Sequence, residues 1–279
     1  MADIVPPPPN GSLMLAWQVK NKHVLVVGAG DVALSRVDHL LQANAKITVV
    51  TGESVHPILR KYHEMGLLED LIVRNFRLSD LKLYEPKNIR QRVMELDHDS
   101  DEDNDDGEIA ALSEEAVKLI EEFEQCKFKM VLTCINDYPL SLRIWQKCKG
   151  LGIDVNLADK PANCDFYFGS VYRQGPLQIM ISTNGKSPRL CNRIKTKMLI
   201  PMFEVLDLES AVENLGYLRF QLQKVYHPGD DTKVIKERME WNRKITDFYS
   251  IQDWCVMKHE SIDKILKLYP EFPSADTLK

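Results

Sequence analysis

Apolar and polar positions along this chain follow two periods. Val24-Leu25-Val26-Val27 is an unbroken apolar run ended by Gly28 and Gly30, and Ala33, Val37, Leu40 and Leu41 follow at helical spacing to about Asn44. The spacing predicts a buried parallel strand that turns sharply into a helix. A second strand is expected over Ile47–Val50, a helix over Val55–Met65 and a third strand over Leu71–Asn75. The pattern lapses from Tyr84 to Gln125 and returns with a strand over Met130–Ile135. Asn136-Asp137-Tyr138-Pro139 is then a helix start, Leu140, Ile144 and Cys148 form an inner face, and a strand runs over Val155–Leu157. Strand and helix alternate, as in a Rossmann-like doubly wound α/β sheet.

Beyond Ala158-Asp159-Lys160-Pro161 the period changes. Phe166–Tyr172 and Leu177–Thr183 alternate across Arg173-Gln174-Gly175-Pro176 and predict an antiparallel hairpin. A helix follows that stops at Pro201, and the remaining chain is helical, with Leu208, Val212, Leu215, Leu218, Leu222 and Val225 on one face. Three regions are expected: a dinucleotide-binding sheet over 13–155, a small α+β unit over 156–200 and a helical region over 201–279.

The glycine turn carries the first chemistry. Gly28-Ala29-Gly30-Asp31-Val32-Ala33 sits between strand and helix, where glycine lets backbone N–H groups approach a pyrophosphate and the helix presents its positive end. Dinucleotide folds place an acidic residue about 20 positions on, for the ribose. Here the second strand ends in Thr51-Gly52-Glu53, with the carboxylate two places late. No Arg or Lys stands in that tip to hold a 2′-phosphate, which favours NAD over NADP.

Charge alters the picture only when divided along the chain. The net charge is −5, but Glu95–Glu124 alone carries −13, so the remainder is +8. A basic body suits a polyanionic ligand. No basic and aromatic cluster tracks a nucleic-acid backbone, which leaves a small acidic substrate. The run Asp97–Asp106 cannot bury enough apolar surface to order itself and reads as a mobile surface insertion. Its spacing lacks the central glycine and final glutamate of a calcium loop.

Six cysteines without a Cys-x-x-Cys pair fit reduced thiols and a cytoplasmic protein. Met1–Ser12, with Pro6–Pro9, reads as a loose tail rather than a targeting signal. No apolar stretch approaches the ~20 residues of a membrane span. The seven histidines show no metal-ligand spacing, so no resident metal site is expected.

Asp159 ends a strand at the edge where such sheets bind ligands, and is the candidate catalytic carboxylate; capping a turn or pairing with Lys160 is its structural alternative. Asp137 resembles a helix cap, and Asp165 fits either role. Ser182-Thr183-Asn184-Gly185-Lys186-Ser187-Pro188-Arg189 could bind carboxylates through backbone N–H and guanidinium groups, or be an N-cap and turn.

Taken together, these motifs resemble the bifunctional precorrin-2 dehydrogenase and sirohydrochlorin ferrochelatase of siroheme synthesis in its stand-alone fungal form. The resemblance rests on Val26–Ala33, Val49-Val50-Thr51, Asn156–Pro161, Cys164-Asp165-Phe166-Tyr167-Phe168-Gly169 and Ile181–Arg189, and covers about Trp17 to Pro201. It implies a homodimer built on the middle region, and one site where NAD accepts a hydride from precorrin-2 and ferrous iron then enters sirohydrochlorin. It places the shared catalytic aspartate on Asp159 and cofactor contacts on Gly30, Asp31, Val32, Thr51, Gly52 and Phe76, beside the turn glycine Gly28. Lys160, Thr183, Asn184, Gly185, Arg189 and Arg193 are candidate partners of the tetrapyrrole substrate. Two other readings remain: a dehydrogenase without chelation, and a non-catalytic NAD-sensing module.

Overall fold

Five apolar runs pair as parallel strands: β1 (His23–Val27), β2 (Lys46–Thr51), β3 (Asp70–Val73), β4 (Phe128–Thr133) and β5 (Asp154–Leu157), in the order β3-β2-β1-β4-β5. The computed structural model describes residues 11–52, 54–99 and 112–272. Every residue of β1 is buried, as a central strand covered on both faces requires. Strand order reverses between β1 and β4, and the crevice beyond their carboxyl ends is where such sheets bind ligands.

The connecting helices are α1 (Asp31–Gln42), α2 (Pro57–Glu64), α3 (Ile89–Asp99), α4 (Glu114–Cys126) and α5 (Tyr138–Leu151). Ala33, Val37 and Leu40 form the buried row of α1, while Ile144 and Cys148 of α5 pack with Leu25, Val27, Val131, Val155 and Leu157 of the sheet. α5 begins at the Asp137 cap, whose Oδ1 accepts the Leu140 N–H at 2.9 Å, and ends at Gly152 with φ +64°.

The lapse expected from Tyr84 to Gln125 is corrected by α3 and α4. α4 has a Ser113 cap, Glu114 and Glu115 in its first turn, and Ala116 and Leu119 buried. Its acidic residues occupy the outward positions of an amphipathic helix, so charge density concealed a crossover that the sheet needs. Residues 100–111, most of the acidic run, lie outside the described residues, as do Glu53 and residues 1–10 of the expected tail.

The chain divides into two compact units, one of residues 13–167 and one of residues 168–272 with residues 11 and 12. The second contains the hairpin β6 (Ser170–Gln174) and β7 (Leu177–Ile181), then α6 (Pro188–Ile194), α7 (Ile200–Phe203), α8 (Leu208–Gln221), α9 (Thr232–Phe248), α10 (Ile251–Val256) and α11 (His259–Leu266). β6 begins four residues later than the apolar alternation suggests. Phe166 is still engaged by the first unit, where its carbonyl accepts from Asn156 Nδ2 at 2.8 Å. Helical backbone also continues past Pro201 to Phe203. A π turn over Lys195–Leu199 lets the Ile200 N–H reach back to the Lys195 carbonyl, and this widened turn accommodates a ring that an α-helix would reject. In the helical region Asn214, buried, donates to the carbonyls of Trp254 (2.9 Å) and Met257 (2.7 Å) and pins α10 beside α8. Among the described residues no helix is long and apolar enough to cross a membrane.

The segment after β3 is fixed by one buried carboxylate. Asp80 accepts two bonds from Arg74, at 2.7 and 2.8 Å, and the Arg77 N–H at 2.8 Å, which seats Leu81 in the core. Burial pushes the Asp80 carboxyl up, but the Arg74 guanidinium and Arg77 N–H outweigh it and hold it below the usual carboxylate value. A depressed carboxyl stabilises the fold above its ordinary value of 3.8 and loses that contribution as pH falls through the lower folded value. Asp80→Asn is therefore expected to lower the melting midpoint at pH 7 by roughly 5 °C, and by less at pH 3, as thermal unfolding followed at both pH values will show.

Candidate active site

The parallel ladder continues one residue past the strands. Gly28 donates to the Val50 carbonyl (2.9 Å), Cys134 to Val27 (2.7 Å) and Ala158 to Thr133 (3.0 Å), so the glycine turn and the turns after β4 and β5 form one row along the carboxyl edge. Gly28 has φ +105°, and a Cβ there would lie 2.4 Å from the Cys134 carbonyl oxygen. It is glycine for both torsion and space. Gly30 differs: its φ is −89° and a Cβ would meet nothing within 4 Å.

Gly30 is the N-cap of α1 and makes no side-chain cap, so the first N–H groups of the helix face open space. That emptiness fits a pyrophosphate, which would occupy the volume a side chain would fill. Asp31 is exposed on the first turn, 3.5 Å from His56 Nε2, while His56 Nδ1 accepts the Ile58 N–H at 3.2 Å. Val32 is exposed as well, a large apolar side chain presented at the turn.

At the tip of β2, Thr51 is buried, and a Cβ on Gly52 would fall 1.9 Å from Asn75 Oδ1. The small residue leaves room for the Asn75 amide to lean over the tip. Asn75 offers both a donor and an acceptor where a ribose hydroxyl is expected. Sequence reading missed it because it looked for an acid on β2 itself; the parallel pairing of Thr51 with Val73 brings the end of β3 alongside. Arg74, the neighbouring cation, is bound to Asp80 on both nitrogens. Phe76 is half-buried against the sheet core.

Beyond β5 the chain makes a fastened loop. Asp165 Oδ2 accepts the Val155 N–H at 2.9 Å and its other oxygen is paired with Lys149, which settles it as structural. The Leu157 N–H donates to Cys164 Sγ (3.2 Å), whose thiol lies within bonding reach of the Leu157 (3.2 Å) and Lys160 (3.3 Å) carbonyls. Tyr167 donates its hydroxyl to the Pro161 carbonyl at 2.9 Å. On the loop's crown Asp159 has φ +59°, a left-handed turn conformation that Asp and Asn adopt more readily than other non-glycine residues.

Among the described residues no hydrogen bond occupies the Asp159 carboxylate, which is exposed. Lys160 does not pair with it: its Nζ stands 4.6 Å above the centre of the Tyr138 ring. Neither structural alternative, turn cap or ion pair with Lys160, accounts for Asp159.

In the second unit the Ser182–Arg189 segment is a turn with a cap. Ser187 Oγ accepts the Leu190 N–H (3.4 Å), and Thr183 Oγ1 accepts the Ser187 N–H (2.8 Å), so the Thr183 hydroxyl is engaged within the loop. Asn184 (φ +52°) and Gly185 (φ +77°) turn the chain and are exposed with Arg189 and Arg193.

Comparison with known proteins follows this anatomy. Residues 15–170 match the NAD(P)-binding family, 174–198 the family described as sirohaem biosynthesis protein, central, and 206–273 its C-terminal counterpart. The chain is 32% identical over 263 residues to a siroheme biosynthesis protein of Schizosaccharomyces pombe, covering 94% of this chain and 81% of that one. It is 34% identical over 257 residues to a siroheme biosynthesis protein of Saccharomyces cerevisiae, covering 86% and 84%. A solved structure named SirC, precorrin-2 dehydrogenase, shares the fold at a TM-score of 0.59 and 17% identity, over 92% of this chain and 100% of the other.

The two glycines are expected to separate under mutation. Gly28→Ala, which forces a side chain against the Cys134 carbonyl, will lower the melting temperature or abolish soluble protein. Gly30→Asp will melt like the wild type yet bind NAD at least about tenfold more weakly by titration calorimetry, because a carboxylate then stands at the uncapped helix start.

Proposed function

The chain belongs to the siroheme-biosynthesis family in its fungal form, and on that premise we propose that it oxidises precorrin-2 to sirohydrochlorin with NAD and then inserts ferrous iron to give siroheme. The observation that carries this reading is Asp159: an exposed, unbonded carboxylate in a left-handed turn, on the same sheet edge as the open glycine turn.

NAD supplies a two-electron acceptor, and the residues that would hold it are the N–H groups after Gly30, with Asp31 and Val32 beside them, Thr51 and Gly52 at the ribose with Asn75 added, and Phe76 nearby. Oxidation of the macrocycle removes one hydride and one proton. The carboxylate of Asp159 takes the proton, as a general base within reach of a ring lying across the sheet edge. Metal insertion requires two pyrrole N–H protons to leave as the ferrous ion enters, and the same carboxylate serves this step. One base suffices because both reactions deprotonate the same ring. The substrate's carboxylates call for cations, and we assign Lys160, whose ammonium is parked over Tyr138, to one of them. Within the second unit, Asn184, Gly185, Arg189 and Arg193 form an exposed polar surface of their own that suits carboxylates, with Thr183 shaping their loop.

A homodimer belongs to the same reading. β6 and β7 form a two-stranded sheet in which no residue is fully buried, although Val171, Tyr172, Leu177, Ile179, Met180 and Ile181 are apolar or aromatic. A lone two-stranded sheet is marginal in water, and a second copy laid on it would cover this surface.

Purified protein with precorrin-2 and NAD under anaerobic conditions is expected to generate NADH absorbance and, after ferrous iron is added, siroheme. Asp159→Asn should lower both rates by about 10²–10⁴-fold while NAD affinity stays within twofold. Unchanged chelation in that variant would overturn the shared base, and NAD binding without any tetrapyrrole turnover would overturn the enzyme reading.

A further inference from the structure

β2 ends without a cation of its own, but the pairing of strands brings one alongside. β3 runs parallel to β2 with Val73 opposite Thr51, so the next residue, Arg74, leaves the sheet beside the tip where dinucleotide folds seat the adenosine ribose. Its guanidinium stays close to that tip. Arg74 Nη1 donates to the Asn75 carbonyl at 3.0 Å, and the Asn75 Cα stands 3.2 Å from where a Cβ on Gly52 would be. An arginine near this place is what holds the 2′-phosphate that distinguishes NADP from NAD.

Asp80 takes that arginine out of use. Its Oδ2 accepts from Arg74 Nη1 at 2.7 Å and its Oδ1 from Nη2 at 2.8 Å, so the fork that would grip a phosphate is closed on a carboxylate. The carboxylate is buried and anchored by the Arg77 N–H at 2.8 Å, whereas the Arg74 side chain is 33% exposed. Pairing, and not burial, therefore withdraws the cation. What the tip presents is a neutral ion pair and the Asn75 amide, a surface suited to ribose hydroxyls. A 2′-phosphate would have to pull Arg74 off a buried carboxylate and leave that charge without its partner.

We propose that Asp80 makes the protein select NAD over NADP, by holding Arg74 away from the 2′ position of the cofactor. The assignment rests on the dinucleotide reading of the glycine turn, and extends it from the residues that hold a cofactor to the one that rejects its phosphorylated form. Asp80 acts through Arg74 and is a positioning residue. The acid that discriminates stands behind the tip of β3, and the tip of β2 needs none.

Titration calorimetry with NAD and NADP, at pH 7 and well below each variant's melting midpoint, tests this. Wild-type protein is expected to bind NADP at least about tenfold more weakly than NAD. Asp80→Asn keeps an oxygen for the Arg77 N–H but drops the charge, and should tighten NADP about tenfold while NAD stays within about threefold. Adding Arg74→Met to that variant should remove the gain. Asn75→Arg, at an exposed position and with Asp80 already occupied, should tighten NADP by a similar factor, and decides the matter even where Asp80→Asn does not fold. Equal binding of the two dinucleotides by wild-type protein, a folded Asp80→Asn with unchanged preference, a gain that survives Arg74→Met and so belongs to another cation such as Arg77, or an Asn75→Arg protein no better with NADP overturns the proposal and leaves the NAD reading intact. Wild-type protein that binds neither dinucleotide overturns both.

Discussion

The bond from the Val155 N–H to the Asp165 carboxylate closes a ten-residue excursion onto the strand it left, and the rest of the site depends on that closure. The Asp165 N–H adds a bond to the Val155 carbonyl at 3.0 Å, so the two ends of the loop are doubly tied and Asp159, at φ +59°, sits between fixed ends. The Cys164 sulfur and the Tyr167 hydroxyl add two further ties inside the loop. The left-handed residue at its crown is thus carried on a loop fastened at both ends. The carboxylate that closes the loop is spent on structure, while Asp159, six positions earlier, stays exposed.

A second constraint is the parallel ladder itself. Hydrogen bonds that run one residue beyond the strands bring Gly28, Cys134 and Ala158 into register. The close approach of Gly28 to the Cys134 carbonyl follows from this register, so the first glycine of the turn is fixed by the adjoining strand. The second answers to nothing in the protein, and its vacancy at an uncapped helix start is what a phosphate group would use.

Strand and helix alternation, the glycine turn, the Asp137 cap and the position of Asp159 at the sheet edge were legible from residue order, because each depends on local period or on neighbours a few positions away. Three features were not. α3 and α4 were hidden by the acidic residues in their sequence, since charge density obscures a helical period unless the inner positions are counted separately. The passage of a helix through Pro201 depends on a π turn, which has no sequence signature of its own. Asn75 reaches the tip of β2 only through the pairing of β2 with β3, a relation between segments distant in the chain. Asp165 could be read two ways until its oxygens were seen bonded to Val155 and paired with Lys149.

The sulfur at the carboxyl edge has a consequence for reactivity. Burial pushes the Cys134 thiol up to about 12, so it is protonated near pH 7. Oxidants and electrophiles attack thiolates and largely pass over protonated sulfur. The edge of the sheet therefore presents the Asp159 oxygens to the open and keeps the Cys134 sulfur chemically silent.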